Sequence, residues 1–296
     1  FTGGENRSDY VREAIEAGVL SEGVIDRALL RVFTLRMRTG EFDPRAGQPY
    51  TRISSSVIES GDHRALAQRV AEQSLVLLKN TKPRGASKPL LPADPKRLQR
   101  VVILGDQADK TFLGGYSGAP AERVSLRQGL TGTLEAANPG ISVSFDAAGS
   151  SSTDTTPVSL SAATRAAIAA ADLGVVMVGA DEKTNAEGKD RASIAMPGNY
   201  DSLVEQVAAV GNPRSALLVQ AGAPVALGAV RDRVASILFS GPNGQLQGLA
   251  QLLQHLRRGF LLGAAAAGPL ALRLEPEGLG AAGHAVVDLR DHAFPP

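Results

Sequence analysis

The sequence has no cysteine and no tryptophan, and aromatic residues make up only 4% of its 296 positions. The first absence removes disulfides, thiolate nucleophiles and cysteine-based zinc sites, and leaves the redox compartment undetermined. The scarcity of aromatics means that any sugar-stacking surface must draw on few side chains. Neither sign of charge dominates: 31 basic and 30 acidic residues leave a net charge of +1. That balance offers no electrostatic case for nucleic acid or an anionic membrane as partner. No apolar run approaches the ~20 residues that span a bilayer, and the longest candidate, Phe260–Ala267, is short and rich in Gly and Ala. No signal peptide is recognisable and the first residue is Phe1 rather than Met, so location stays undetermined. With 43% apolar and 21% charged residues, the composition is that of an ordinary soluble globular protein.

What is present is a change of pattern along the chain. Residues 8–17 and 21–38 read as two helices, the second with Ser21 as N-cap and Gly40 just beyond its end. Ile25, Ala28, Leu29, Val32 and Leu35 share one helical face, which a helix pair alone cannot bury. The stretch 41–61 contains Asp43-Pro44, Pro49 and a run of serines, and reads as a linker. A helix over 63–74 follows, and then strands at Leu75–Leu78, Val101–Leu104, Ile141–Phe145, Gly174–Val178, Ala216–Val219 and Ala235–Phe239. Helices are expected between them at 125–137, 160–171, 199–210 and 224–231. Wholly apolar strands separated by amphipathic helices predict a three-layer α/β/α sandwich with a mostly parallel sheet of about six strands. Beyond residue 248 the chain turns dense in Ala, Leu, Gly and Arg, and only Leu249–Arg257 reads as a helix.

Several chemistries fail on their motifs. Gly-x-Ser-x-Gly is not completed after Tyr116-Ser117-Gly118, because Ala119 stands where glycine is required. No phosphate-binding glycine loop is present. His63, His255, His284 and His292 form no metal-spaced pair with nearby carboxylates, and no metal or other cofactor is expected. Gly114, Gly115 and Gly118 read as a tight turn, or as backbone that a ligand can approach closely. The loop 179–191, GADEKTNAEGKDR, is different, because it follows the apolar strand Gly174–Val178. In parallel sheets ligands bind outside the carboxyl ends of the strands. A carboxyl screened from water there can serve as a general acid, as glycosidic cleavage needs, although charged loops are usually just solvated.

Four segments in this order and spacing carry a specific resemblance: RALAQRVAEQSLVLLKN (64–80), GGYSG (114–118), EGKDR (187–191) and MPGN (196–199). Together they resemble glycoside hydrolase family 3, over residues 8 to 248. Residues 11–43, with EAGVLSEGVIDRALLRVFTLRMRTGEFD at 16–43, look like the last helices of that family's (β/α)₈ barrel. The resemblance implies the following division: 1–40, terminal helices of the barrel; 41–61, linker; 62–248, α/β sandwich; 249–296, an atypical tail. It implies a retaining β-glycosidase of β-xylosidase or β-glucosidase type, in which a barrel aspartate is the nucleophile and the sandwich lends the acid/base glutamate. Glu187 is then the candidate acid/base and Glu182 the second choice. Asp190 and Arg191 would pair to support the loop, and Asp181 would be structural.

Two departures qualify these expectations. Ser8-Asp9-Tyr10 looks like the family's nucleophile motif, but a helix rather than a buried strand surrounds it. Asp9 therefore reads as a helix first-turn residue, and the nucleophile is expected outside this chain, in a barrel domain that acts as partner. After SGPNGQ (240–245) the family's helix gives way to LAQLLQHLRRGF from Leu249, a composition that a shifted reading frame in a GC-rich gene would produce. The substrate class implied is a β-linked oligosaccharide or aryl glycoside. The alternative is a non-catalytic module that binds carbohydrate or protein and is inactive alone.

Overall fold

The computed structural model describes residues 8–250. The chain divides into two compact units between Leu66 and Ala67, where the sequence places the boundary at 61/62.

The first unit holds α1 (Ser8–Glu16), α2 (Glu22–Arg38) and the opening of α3 (Gly61–Gln73). Asp9 sits in the first turn of α1, exposed and 3.1 Å from Arg12. Ser21 takes the extended N-cap conformation for α2, but its hydroxyl makes no capping bond. The C-terminus of α2 is closed by paired bonds from Gly40 N–H to Met37 O and from Glu41 N–H to Arg36 O, each 3.0 Å, in the glycine-terminated Schellman pattern. No residue of α1 or α2 is buried, so the apolar stripe read from the sequence forms no core within the unit. The stretch expected as a linker carries three short 3₁₀ turns, Arg45–Gly47, Pro49–Arg52 and Ser55–Val57. His63 turns its Nδ1 to Val57 O at 2.6 Å.

The second unit is a six-stranded α/β sandwich. Its strands are β1 (Val76–Asn80), β2 (Arg100–Leu104), β3 (Ser142–Asp146), β4 (Leu173–Gly179), β5 (Ser215–Gln220) and β6 (Ser236–Ser240). They lie in the order β1-β6-β5-β4-β2-β3, with every pair parallel except β1–β6. Between them run α4 (Leu126–Ala137), α5 (Ala162–Ala170) and α6 (Tyr200–Ala209), and α7 (Gln247–Ala250) closes the described chain. The strand alternation separates two cores. Val102, Leu104, Val176, Val178, Leu217, Val219 and Ile237 face one side with Ile168 of α5 and Tyr200, Leu203, Val204 and Val207 of α6. Val101, Ile103, Val175, Met177, Ala216, Leu218 and Leu238 face the other, with Leu126, Leu130 and Leu134 of α4. Strands buried on both faces are apolar throughout for this reason.

Local chemistry places the helices. Ser125 and Gln128 form a reciprocal capping box at the start of α4, and Ser161 caps α5 through Thr164 N–H at 3.0 Å. One expected helix is absent. The 224–231 segment forms only a 3₁₀ turn at Gly228–Asp232. Ala226 N–H is committed to Ile194 O at 2.7 Å in a bridge outside the sheet, which takes the backbone out of helical register. The helix expected over Leu249–Arg257 lies, beyond Ala250, outside the described residues.

Strand order creates the place for a ligand. The connection that follows β2 crosses on the α4 face, and the one that follows β4 crosses on the opposite, α6 face. Adjacent β2 and β4 therefore send their following loops apart, and a crevice opens at their carboxyl ends.

Candidate functional site

Two cavities occupy this crevice. The larger, 660 Å³, lies between the loop after β2 (Asp109–Ala119, with Arg123) and Asp181, Glu182 and Lys183 after β4. The smaller, 270 Å³, is lined by Phe112, Gly114, Gly115 and Tyr116 from the first loop and by 180–182 and 185–187 from the second, with Gly222 after β5 and Pro242 after β6. All four contributing loops follow parallel strands.

The acidic loop leaves the sheet at Gly179, whose φ is +149°. A Cβ there would lie 1.8 Å from Gln220 O on the neighbouring strand, so only glycine allows the close approach. Asp181, 7% exposed, then fixes the first turn. Its Oδ2 accepts a 2.7 Å bond from Ser152 Oγ and its Oδ1 a 3.1 Å bond from Lys183 N–H. Its main-chain oxygen accepts from Thr184 N–H at 3.0 Å and Asn185 N–H at 2.8 Å. Further along, Glu187 and Gly188 are the central residues of a tight turn closed by Lys189 N–H to Ala186 O at 3.0 Å. Gly188 supplies the positive φ, +71°, that such a turn needs at its second central position.

Of the four residues read as site candidates, the structure brings two together. Glu187 and Glu182 are exposed and line the same 270 Å³ cavity, and Glu182 also borders the larger one. Asp190 and Arg191 do not form the expected pair. Arg191 donates instead to Ala195 O, and no ion pair joins it to Asp190. The cause is the chain's course: Ala195 is bridged to Ala226 and returns its carbonyl to Arg191, while Asp190 stays exposed.

The glycine cluster lines the cavities, with Gly114 (φ +91°) opening a turn closed by Ser117 N–H to Gly114 O at 3.2 Å. Phe112 and Tyr116 are wall residues that sequence reasoning missed. Tyr116 is 89% exposed, one of few aromatics in the chain, and it lies within the Gly-Gly-Tyr-Ser-Gly run. That position next to a backbone-permissive turn was the available signal.

Beneath the crevice, Asp106 at the end of β2 is paired with Lys110 and accepts the Tyr200 hydroxyl at 2.8 Å. Burial, followed by the negative charge of Asp106, raises the Tyr200 pKa above the usual tyrosine range. Asp109 pairs with Arg127 at 2.9 Å, and that guanidinium lies 4.9 Å from the Phe145 ring centroid. Among the described residues, no group of three or more His, Asp and Glu is placed to hold a metal ion. Among them, too, no helix is long and apolar enough to cross a membrane.

Against this geometry, the sequence profile of the glycosyl hydrolase family 3 C-terminal domain matches residues 75–254. The chain belongs to glycosyl hydrolase family 3. Relatives in the family include a probable β-D-xylosidase 6 of Arabidopsis thaliana, 35% identical over 248 residues, covering 81% of this chain and 29% of that protein. A probable exo-1,4-β-xylosidase of Aspergillus fumigatus is 32% identical over 251 residues, with 81% and 29% covered. Among solved structures, a family 3 exo-β-xylosidase in complex with a xylobiose aziridine activity-based probe superposes with a TM-score of 0.66 at 26% identity, covering 81% of this chain and 30% of that one. A β-glucosidase of Erythrobacter marinus gives 0.64 at 25% identity, with 81% and 34% covered. The chain thus spans about three-tenths of the length of the curated family 3 relatives it matches.

Proposed function

We propose that this family 3 chain supplies the acid/base half of a retaining β-glycosidase acting on short β-linked glycosides of xylose or glucose. The observation that carries the reading is the position of Glu187. It sits at the tip of the turn beyond β4, within Glu-Gly-x-Asp-Arg, and lines a cavity bordered by Phe112 and Tyr116. The exposed Tyr116 ring offers an apolar face for a sugar, and the carboxyl offers a proton to the departing oxygen.

In this reading a (β/α)₈ barrel, to which α1 and α2 within residues 1–40 belong, brings an aspartate that attacks the anomeric carbon. Glu187 protonates the leaving oxygen and then, as carboxylate, takes a proton from the water that hydrolyses the glycosyl-enzyme. Retention requires the two carboxyls about 5–5.5 Å apart in the assembled enzyme. Glu182 is the second candidate for the proton, since it reaches the same cavity. No cofactor takes part.

The test compares Glu187→Gln and Glu182→Gln in the assembled enzyme, using aryl β-xylosides and β-glucosides with good and poor leaving groups. Glu187→Gln is expected to lower kcat by about 10²–10⁴ for poor leaving groups, where protonation matters, and less for good ones. Full turnover by that variant would sink the assignment, and the same pattern in Glu182→Gln would move it there. The purified 296-residue chain is expected to show no turnover by itself, and hydrolysis by it would refute an external nucleophile.

A further inference from the structure

Asp181 lines both cavities, and both of its carboxylate oxygens already accept hydrogen bonds from within the protein. Oδ2 is held by Ser152 Oγ at 2.7 Å, and Oδ1 by Lys183 N–H at 3.1 Å with Thr184 Oγ1 at 3.3 Å. The compensation for burying this carboxylate comes from hydrogen-bond donors rather than from a cation. A buried charge is tolerable only when it is satisfied in this way. The donor on the far side is itself fixed. Ser152 is 4% exposed and belongs to the segment after β3 that Asn199, at the head of α6, clamps from three directions. Asn199 Oδ1 accepts from Ser151 N–H at 2.8 Å, and its Nδ2 donates to Gly149 O at 3.1 Å and Thr156 O at 2.9 Å.

We propose that Asp181 is the positioning residue of the acidic loop: its carboxylate, bound to Ser152 of the segment after β3, sets where Glu182 and Glu187 stand. Gly179 and Ala180 are held at the sheet end by Gln107 Nε2 to Gly179 O at 3.1 Å and Ala180 N–H to Gln220 O at 3.0 Å, and the Ser152 bond is the first side-chain anchor beyond them. With it, the chain turns at 181–185 on a fixed origin and reaches the 186–189 turn in one register. Displacing a proton donor by about 1 Å can cost on the order of 10²-fold in rate. Asp181 therefore acts on catalysis without touching the reacting atoms. The catalytic part of this proposal rests on the acid/base assignment above, whereas the anchoring part does not.

The two parts are tested separately. In the 296-residue chain, Asp181→Ala and Ser152→Ala should raise amide hydrogen exchange at Lys183, Thr184 and Asn185 by about tenfold or more, with Val176 and Leu217 in the central strands unchanged. Unchanged exchange in the loop overturns the anchor. Ser152→Ala removes one bond from outside the loop, so it remains informative if Asp181→Ala fails to fold. In the assembled enzyme, Asp181→Asn and Ser152→Ala should lower kcat for poor-leaving-group aryl glycosides by about tenfold or more, with KM within about threefold. Equal losses for good and poor leaving groups, or a loss confined to KM, overturn the positioning role. Full activity of both Glu187→Gln and Glu182→Gln would sink the acid assignment and with it the link to catalysis. Loop exchange that still rises in the Asp181 and Ser152 variants would uphold the anchor alone.

Discussion

The Tyr200 hydroxyl donates a 2.8 Å hydrogen bond to Asp106 Oδ1, tying the first residue of α6 to the start of the 3₁₀ turn that follows β2. Tyr200 is fully buried, and Asp106 holds Lys110 with its other oxygen. Burial first, and Asp106 second, raise the phenol's pKa. The folded state thus keeps a proton that the unfolded chain releases near pH 10. The stability from this group is complete below that pH and falls as pH rises beyond it. Tyr200→Phe is expected to cost about 1–2 kcal/mol at pH 7 through loss of the bond to a charged acceptor. It should also flatten the alkaline decline, so that the two stability curves converge above about pH 10. Urea unfolding followed from pH 7 to 11 checks both; parallel curves would contradict the account.

Asn199 accepts one bond and donates two to the 149–156 segment, and it is 4% exposed. Asn199→Ala leaves Ser151 N–H and two carbonyls without these partners. A loss of about 2–3 kcal/mol is expected. Limited proteolysis should cut first within 149–156, and protection of that segment equal to wild type would argue against the clamp.

Gly179 faces Gln220 O so closely that a Cβ would lie 1.8 Å from it, in a backbone conformation of φ +149°. Gly179→Ala must move β4 away from β5 or change that conformation. The strain alone is about 1–3 kcal/mol, and the clash adds to it. The thermal midpoint should fall further than in Gly85→Ala, whose Cβ meets nothing within 4 Å. Equal midpoints would contradict the contact.

Ser125 Oγ starts α4 by accepting a 3.3 Å bond from Gln128 N–H, and Gln128 Oε1 in turn accepts from Ser125 N–H at 2.9 Å. Ser125→Ala should cost about 1 kcal/mol. Gln128→Ala should cost less, and the double variant should show coupling, because either change breaks the reciprocal pair. Additive losses in denaturant titrations would show that the two bonds act independently.

Much of the sandwich was legible because strands buried on both faces must be apolar along their whole length. Val175, Val176, Met177 and Val178 in β4 are all fully buried, and the sequence shows that run directly. The 224–231 segment was misread because its composition suits a helix, whereas Ala226 is claimed by Ile194, a residue more than thirty positions away. No local pattern reports such a bond. The pairing of Asp190 with Arg191 failed for the same kind of reason. The resemblance implied a contact, but the returning chain at Ala195 presents its carbonyl to Arg191 as acceptor.

By itself the sequence determined the fold class, the family and the loop proposed to carry the acid, because apolar runs, caps and the Glu-Gly-x-Asp-Arg motif are local features. Tertiary structure decided the order β1-β6-β5-β4-β2-β3, and hence which loops meet at the crevice. It also decided that Asp181 is anchored by Ser152, and that Phe112 and Tyr116 share a wall with Glu187. Strand order and cross-loop hydrogen bonds depend on which buried faces fit together, a property of the packed chain that no single segment carries.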